Sequence, residues 1–203
     1  MPLITTLAGA SARGFGGLRT FASPTGTYES IQSVYLSSAA ATNIDFTSIP
    51  ATYQHLEIRF SGSSVRTSNF LDDVDIQFGN GSIDTGSNYA YRASGYESGG
   101  SSTFRTNNTG QTSMKSGFCV GGNAYPNGIG IFQITDYANT NIFKGLHGAN
   151  GFSTNDGTEQ NRWGMFTGSW ASTSAITHIR VSLSNSNWAQ YTQVSLYGIK
   201  GAA

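Results

Sequence analysis

A chain of 203 residues is long enough for one all-β domain with a hydrophobic core, with an arm to spare. Only 11% of the residues are charged and 26 are glycine, against ~25% and ~7% in an average globular protein. Ser, Thr, Asn and Gln must therefore build the surface, which disfavours helices. Eleven basic residues balance eleven acidic ones and are scattered, which excludes the electrostatic footprint of a nucleic-acid or anionic-membrane binder.

Aromatics at 12% argue for a folded chain rather than a disordered one. A formal net charge of zero favours self-association, which suits a subunit built into an assembly. Cys119 stands alone, so it reads as a buried structural thiol rather than a disulfide or metal ligand. The first residues carry no charged n-region and no apolar run approaches membrane-spanning length, so the expectation is synthesis in a cytoplasm.

In chain order, residues 1–27 come first and differ in character from the remainder of the chain. Glycines and small residues surround single apolar side chains, notably through Ser11, Ala12, Arg13, Gly14, Phe15, Gly16 and Leu18. Such a stretch can neither complete a hydrophobic face nor hold a helix, and it reads as an extended arm whose order comes from a partner surface. Residues 28–203 form the folded domain. Strands are expected at Ser30–Leu36, Asn43–Phe46 and Tyr53–Phe60, where Leu56, Ile58 and Phe60 alternate with His55, Glu57 and Arg59.

Val74, Ile76 and Phe78 repeat the period of two before the turn at Gly79-Asn80-Gly81-Ser82. Further strands are expected at Tyr89–Arg92, Ser113–Val120, Ile129–Thr135, Ile142–His147, Arg162–Thr167, Thr177–Leu183 and Gln193–Ile199. Two polar stretches, Ser94–Thr112 and Ala149–Asn161, read as long surface loops. No amphipathic helices separate the strands, so the expected fold is an all-β, antiparallel two-sheet β-sandwich, jelly-roll-like, preceded by the extended N-terminal arm.

The chemistry of enzymes is not signalled. There is no G-x-S-x-G elbow, and His55 and His178 fall on the polar faces of strands, where solvation is the ordinary fate. Asp72-Asp73-x-Asp75 has the spacing of hard oxygen ligands but lacks the Gly and distal Glu of a calcium loop, so a solvated strand edge is expected and no metal or other cofactor. Tyr96, Tyr125, Trp163 and Trp170 stand beside polar residues and are the aromatics on which a sugar could stack; the competing role for each is core or interface.

Six runs of residues carry a resemblance. They are Tyr28-Glu29-Ser30-Ile31, residues 46–59 from Phe46 through Pro50, Tyr53 and His55 to Arg59, and Asp84-Thr85-Gly86-Ser87-Asn88-Tyr89-Ala90. The others are residues 134–141 around Asp136 and Tyr137, residues 170–177 beginning with Trp170, and Leu196-Tyr197-Gly198-Ile199-Lys200-Gly201. Together they resemble a recurring module of virion structural proteins in tailed phages, especially phages of cyanobacteria and other aquatic bacteria. Residues 4–17 are similar to the Gly-rich N-termini of phage fibre-like proteins.

The resemblance implies a non-enzymatic virion subunit of tail-fibre or tail-appendage type, assembled in the host cytoplasm and held to other virion proteins by residues Ser11 to Leu18. A homo-oligomer, with a trimer favoured, is the expected state. A capsid decoration or cement protein and a module binding host surface polysaccharide are the alternatives. Neither nucleic-acid binding nor membrane insertion is expected.

Overall fold

The computed structural model describes residues 27–38, 41–97, 102–122, 127–154 and 161–201. The N-terminal arm, save Thr27, and Tyr125 lie outside the described residues. Thirteen strands and no helix are found among those described: β1 (Tyr28–Tyr35), β2 (Asn43–Phe46), β3 (His55–Ser64), β4 (Leu71–Asn80), β5 (Ser82–Ile83), β6 (Tyr89–Glu97), β7 (Ser102–Gln111), β8 (Met114–Gly121), β9 (Gly128–Thr135), β10 (Lys144–Ser153), β11 (Asn161–Trp170), β12 (His178–Leu183) and β13 (Gln193–Ile199).

The strands form two ladders. A long antiparallel one runs β1-β13-β3-β9-β10-β11-β6-β7, and a short antiparallel one runs β2-β12-β4-β8 with β5 folded back on β4. At its end β3 crosses from one to the other, pairing in parallel with β8 through Ser63↔Val120 and Ser64↔Gly121. The sheet is therefore mixed and open, and the expected antiparallel pairing holds everywhere except at this junction.

The core follows the alternation. Leu56, Ile58 and Phe60 of β3, Val74, Ile76 and Phe78 of β4, and Ile179, Val181 and Leu183 of β12 are all buried. Strand β8 packs on the inner side of the long ladder: Phe118 meets Phe104 and Phe166 edge-on, at centroid distances of 5.3 and 5.1 Å. The Asn150 side chain fastens the two, accepting from the Phe118 amide at 2.6 Å and donating to its carbonyl at 2.9 Å. Cys119 is buried there, and desolvation pushes its thiol pKa well up.

Three expectations need correction. Ser94–Thr112 is mostly strand, because β6 continues to Glu97 and β7 pairs with it from Ser102 onward. Only Phe104 gives β7 an apolar anchor in the core, so its alternation is almost invisible in the sequence. Likewise β10 extends to Ser153 and pairs with β11 along its full length, which converts much of Ala149–Asn161 into a hairpin. The acidic triplet is not a solvated edge: the strand period of two turns Asp72 inward, fully buried, with Val74 and Ile76, while Asp73 and Asp75 stay on the outer face. Glu57 keeps its expected place on the face opposite Leu56 and Ile58, where it is only 2% exposed.

Candidate functional site on the long ladder

The runs that carry the resemblance meet in space as packing locks. Asp84 accepts hydrogen bonds from the Trp170 indole at 2.7 Å, the Asn88 amide side chain at 2.8 Å and the Gly86 backbone at 2.8 Å. The Trp170 bond comes first among the causes that hold the Asp84 carboxyl below its usual pKa. Beside it the Tyr89 ring stacks on Trp170 at 6.5 Å, and burial pushes the Tyr89 phenol up to about 12. Trp170 is thus core, 3% exposed, and not a surface platform for sugar.

A second lock joins β1, the segment before β3 and the end of β13. The Tyr137 hydroxyl donates to the Pro50 carbonyl and accepts from the Tyr53 amide at 3.4 Å. Tyr53 lies against Gly198, where any Cβ would sit 2.3 Å from the ring, and its hydroxyl donates to Glu29 at 3.1 Å. Lys200 pairs with the same carboxylate. The two locks are tied by Ile176 N–H to Tyr137 C=O at 2.9 Å. His55 belongs to this region too, its Nδ1 accepting from the Asp136 amide at 3.0 Å. These residues build the fold.

The open surface is the outer face of the long ladder. Pairing registers set out three rungs running across it. The first is Glu57–Gln133–His147–Thr167–Arg92–Asn107, the second Arg59–Ile131–Ala149–Met165–Ser94–Arg105, and the third Ser61–Ile129–Gly151–Trp163–Tyr96–Thr103. Adjacent rungs expose Ile129 (62%), Ile131 (45%), Trp163 (57%) and Met165 (65%). Contiguous apolar side chains on a strand face mark a contact surface, whereas isolated ones are unremarkable.

Trp163 and Tyr96 are direct cross-strand partners, so two of the four aromatics singled out from sequence do come together. Trp170 differs from Trp163 by seven positions on the same strand, an odd number, and so points the other way. Around the pair the surface is dished. A depression of about 550 Å³ is lined by Arg92, Ser94, Arg105, Asn107, Met165 and Thr167, and one of about 360 Å³ by Tyr96, Thr103, Arg105, Trp163 and Met165.

The charges of this face are unevenly satisfied. Glu57 accepts from Arg59 Nε at 2.6 Å, from Gln133 at 3.1 Å and from the Tyr28 hydroxyl at 3.2 Å. Arg59 closes over it between Tyr197 and Tyr28, 5.0 and 5.6 Å from their ring centres. His147 Nε2–H continues the chain by donating to Gln133 at 3.1 Å. Arg92 donates to the Asn107 side chain at 3.0 Å, and among the described residues neither Arg92 nor Arg105 forms an ion pair.

The outer face of the short ladder is the opposite case. There Arg180 makes a bidentate pair with Asp45 at 2.8 Å, Lys115 pairs with Asp73 at 2.6 Å and the Ser184 hydroxyl donates to Asp75. Arg180 and Lys115 are both paired there, while Asp75 Oδ1 is buried without a hydrogen-bond partner among the described residues. Among the described residues no three His, Cys, Asp or Glu side chains gather as metal ligands; division of the acidic triplet between two faces is the reason in that case.

Arg92, Ser94, Arg105, Met165, Ile129 and Ile131 went unremarked as site residues in the sequence. The signal for the last two was present: Ile129 and Ile131 alternate with Gly130, Phe132 and Ile134, so both faces of that strand are apolar and the outer one must meet something. No protein-family model matches this chain, and no curated protein matches it.

Proposed function

We propose that the chain is a non-enzymatic structural subunit of a tailed-phage virion, of tail-fibre or appendage type. It is anchored by residues 1–27 and works as a homo-oligomer. In this reading the two ladders are the layers of a jelly-roll-like sandwich, and β3 is the strand that changes layers. The observation that carries the reading is the outer face of the long ladder, where Ile129, Ile131, Trp163 and Met165 lie open in neighbouring rungs. A surface of this kind serves contact rather than turnover.

The resemblance across residues 28–203 supplies the particle, and the six runs behind it supply the frame that displays the face. The Trp163–Tyr96 pair favours the further reading that host surface polysaccharide is contacted there. Immunogold labelling of intact virions tests the assignment: label on tails supports it, and label spread over the capsid overturns it in favour of a decoration protein. A chain lacking residues 1–27 is expected to keep its β-type circular dichroism and to be missing from purified particles. If it fails to fold, residues 1–27 belong to the core and the anchoring role is wrong.

A further inference from the structure

We infer that the β11–β6–β7 part of the long ladder's outer face is a binding site for an acidic polysaccharide, with uronate carboxylates seated on Arg92 and Arg105 and a sugar ring stacked on Trp163. The inference rests on the reading of this face as the contact surface and adds the chemistry of the partner.

Charge decides the class of occupant. Arg92 and Arg105 line one depression together and lack carboxylate partners among the described residues. Glu57, the acid of the same rung, stands four strands away from Arg92 on β3, buried beneath Arg59 and already accepting from three donors. A second copy laid face to face about a two-fold axis through this depression would set guanidinium against guanidinium. An anionic partner meets the need, and the planar fork of arginine matches a carboxylate.

The remaining groups select sugar among anions. Ser94, Thr103, Asn107 and Thr167 surround the arginines and offer hydroxyl and amide partners to a hydroxyl-rich ligand. The exposed Trp163 indole and its neighbour Tyr96 present apolar faces to the C–H side of a pyranose. Adjacent strands are ~4.8 Å apart, about the length of one sugar, so a chain crossing β11, β6 and β7 places successive residues over successive strands. Single-stranded nucleic acid carries a phosphate at every nucleotide and is held by basic grooves; two arginines without ion pairs among the described residues, on a chain of zero formal net charge, do not make one.

Calorimetric titration of the full-length protein with oligogalacturonate, dextran and an oligothymidylate tests the site. Oligogalacturonate alone is expected to bind, more weakly as salt rises. Arg92→Gln and Arg105→Gln should each weaken binding about tenfold, and Trp163→Ala more, with thermal melts unchanged. Absence of uronate binding, equal binding of dextran or oligothymidylate, or affinity unmoved by both arginine variants overturns it. Tail labelling of virions by a protein that binds no uronate sinks this inference alone; capsid labelling by one that does bind leaves it standing and sinks the assignment above.

Discussion

Lys144 is fully buried yet forms no ion pair among the described residues. Its ammonium donates to the carbonyls of Asn139 (2.5 Å), Ile142 (2.7 Å) and Thr173 (3.0 Å), and burial draws its pKa below the ordinary lysine value. One side chain thus holds the loop after β9 to the loop after β11. Lys144→Met orphans all three carbonyls and is expected to cost about 3 kcal/mol, a fall in Tm on the order of 10 °C by calorimetry. Two aspartates respond to pH in opposite senses. Hydrogen bonding to Arg180 lowers the Asp45 pKa from 3.8, so its stabilisation is present above that value and is lost as pH falls through the folded pKa. Burial raises the Asp72 pKa from 3.8, and Oδ2 has no hydrogen-bond partner among the described residues. Its contribution is greatest in acid and is lost as pH rises through the folded pKa. Relative to wild type, Asp72→Asn should therefore gain stability and Asp45→Asn lose it between about pH 3 and pH 7. Melts that stay parallel to wild type across that range would contradict both assignments. Adjacent aspartates in the sequence do not reveal which one faces the core; the alternation of Val74 and Ile76 does.

At the scale of strands, the site depends on how closely β6 approaches β11. A Cβ added at Gly95 would stand 2.0 Å from the Trp163 carbonyl oxygen and 2.7 Å from the Gly164 Cα. These are backbone atoms of the paired strand and cannot swing aside. Gly95→Ala is expected to destabilise by about 2 kcal/mol in chemical denaturation, and it should disturb the Trp163–Tyr96 pair that straddles the position. An alanine variant of unchanged stability would mean that β6 and β11 are looser than this geometry. The same pair of strands shows the limit of sequence reading. Strands β3, β4 and β12 were legible because one face is apolar and the other polar. Strand β7 was not, because an edge strand of Thr, Arg and Asn with Phe104 as its apolar anchor has the composition of a loop. Arg92 and Arg105 became site residues only through that hidden pairing, since Arg105 reaches the second rung by standing opposite Ser94. Trp163 and Tyr96 were recognisable individually, but their adjacency is a property of register.

For the whole molecule, the question is what makes two ladders behave as one body. The parallel pairing of β3 with β8 spans only two residue pairs, too little to couple them through hydrogen bonds alone. Trp188, outside every strand and without periodicity to mark it, adds to the Phe118 and Asn150 contacts that join them. Its backbone bridges Ala41 and Ser64, its ring lies 6.1 Å from Phe60 of the long ladder, and its indole nitrogen points to the Val181 carbonyl of the short one at 3.4 Å. The side chain is fully buried. Gly62 lets it approach, for a Cβ there would come within 3.0 Å of the indole and 2.7 Å of Thr192. Removing the ring in Trp188→Ala should cost about 4 kcal/mol, from lost burial and the cavity left behind. The loss should also be uneven. Strands β2 and β12 form the outer end of the short ladder and reach the rest of the core in part through this ring, so they should exchange their amide protons first. Hydrogen exchange that accelerates in β12 while β9 and β10 stay protected would show the ladders uncoupling; uniform acceleration would mean that the inner faces alone hold them together.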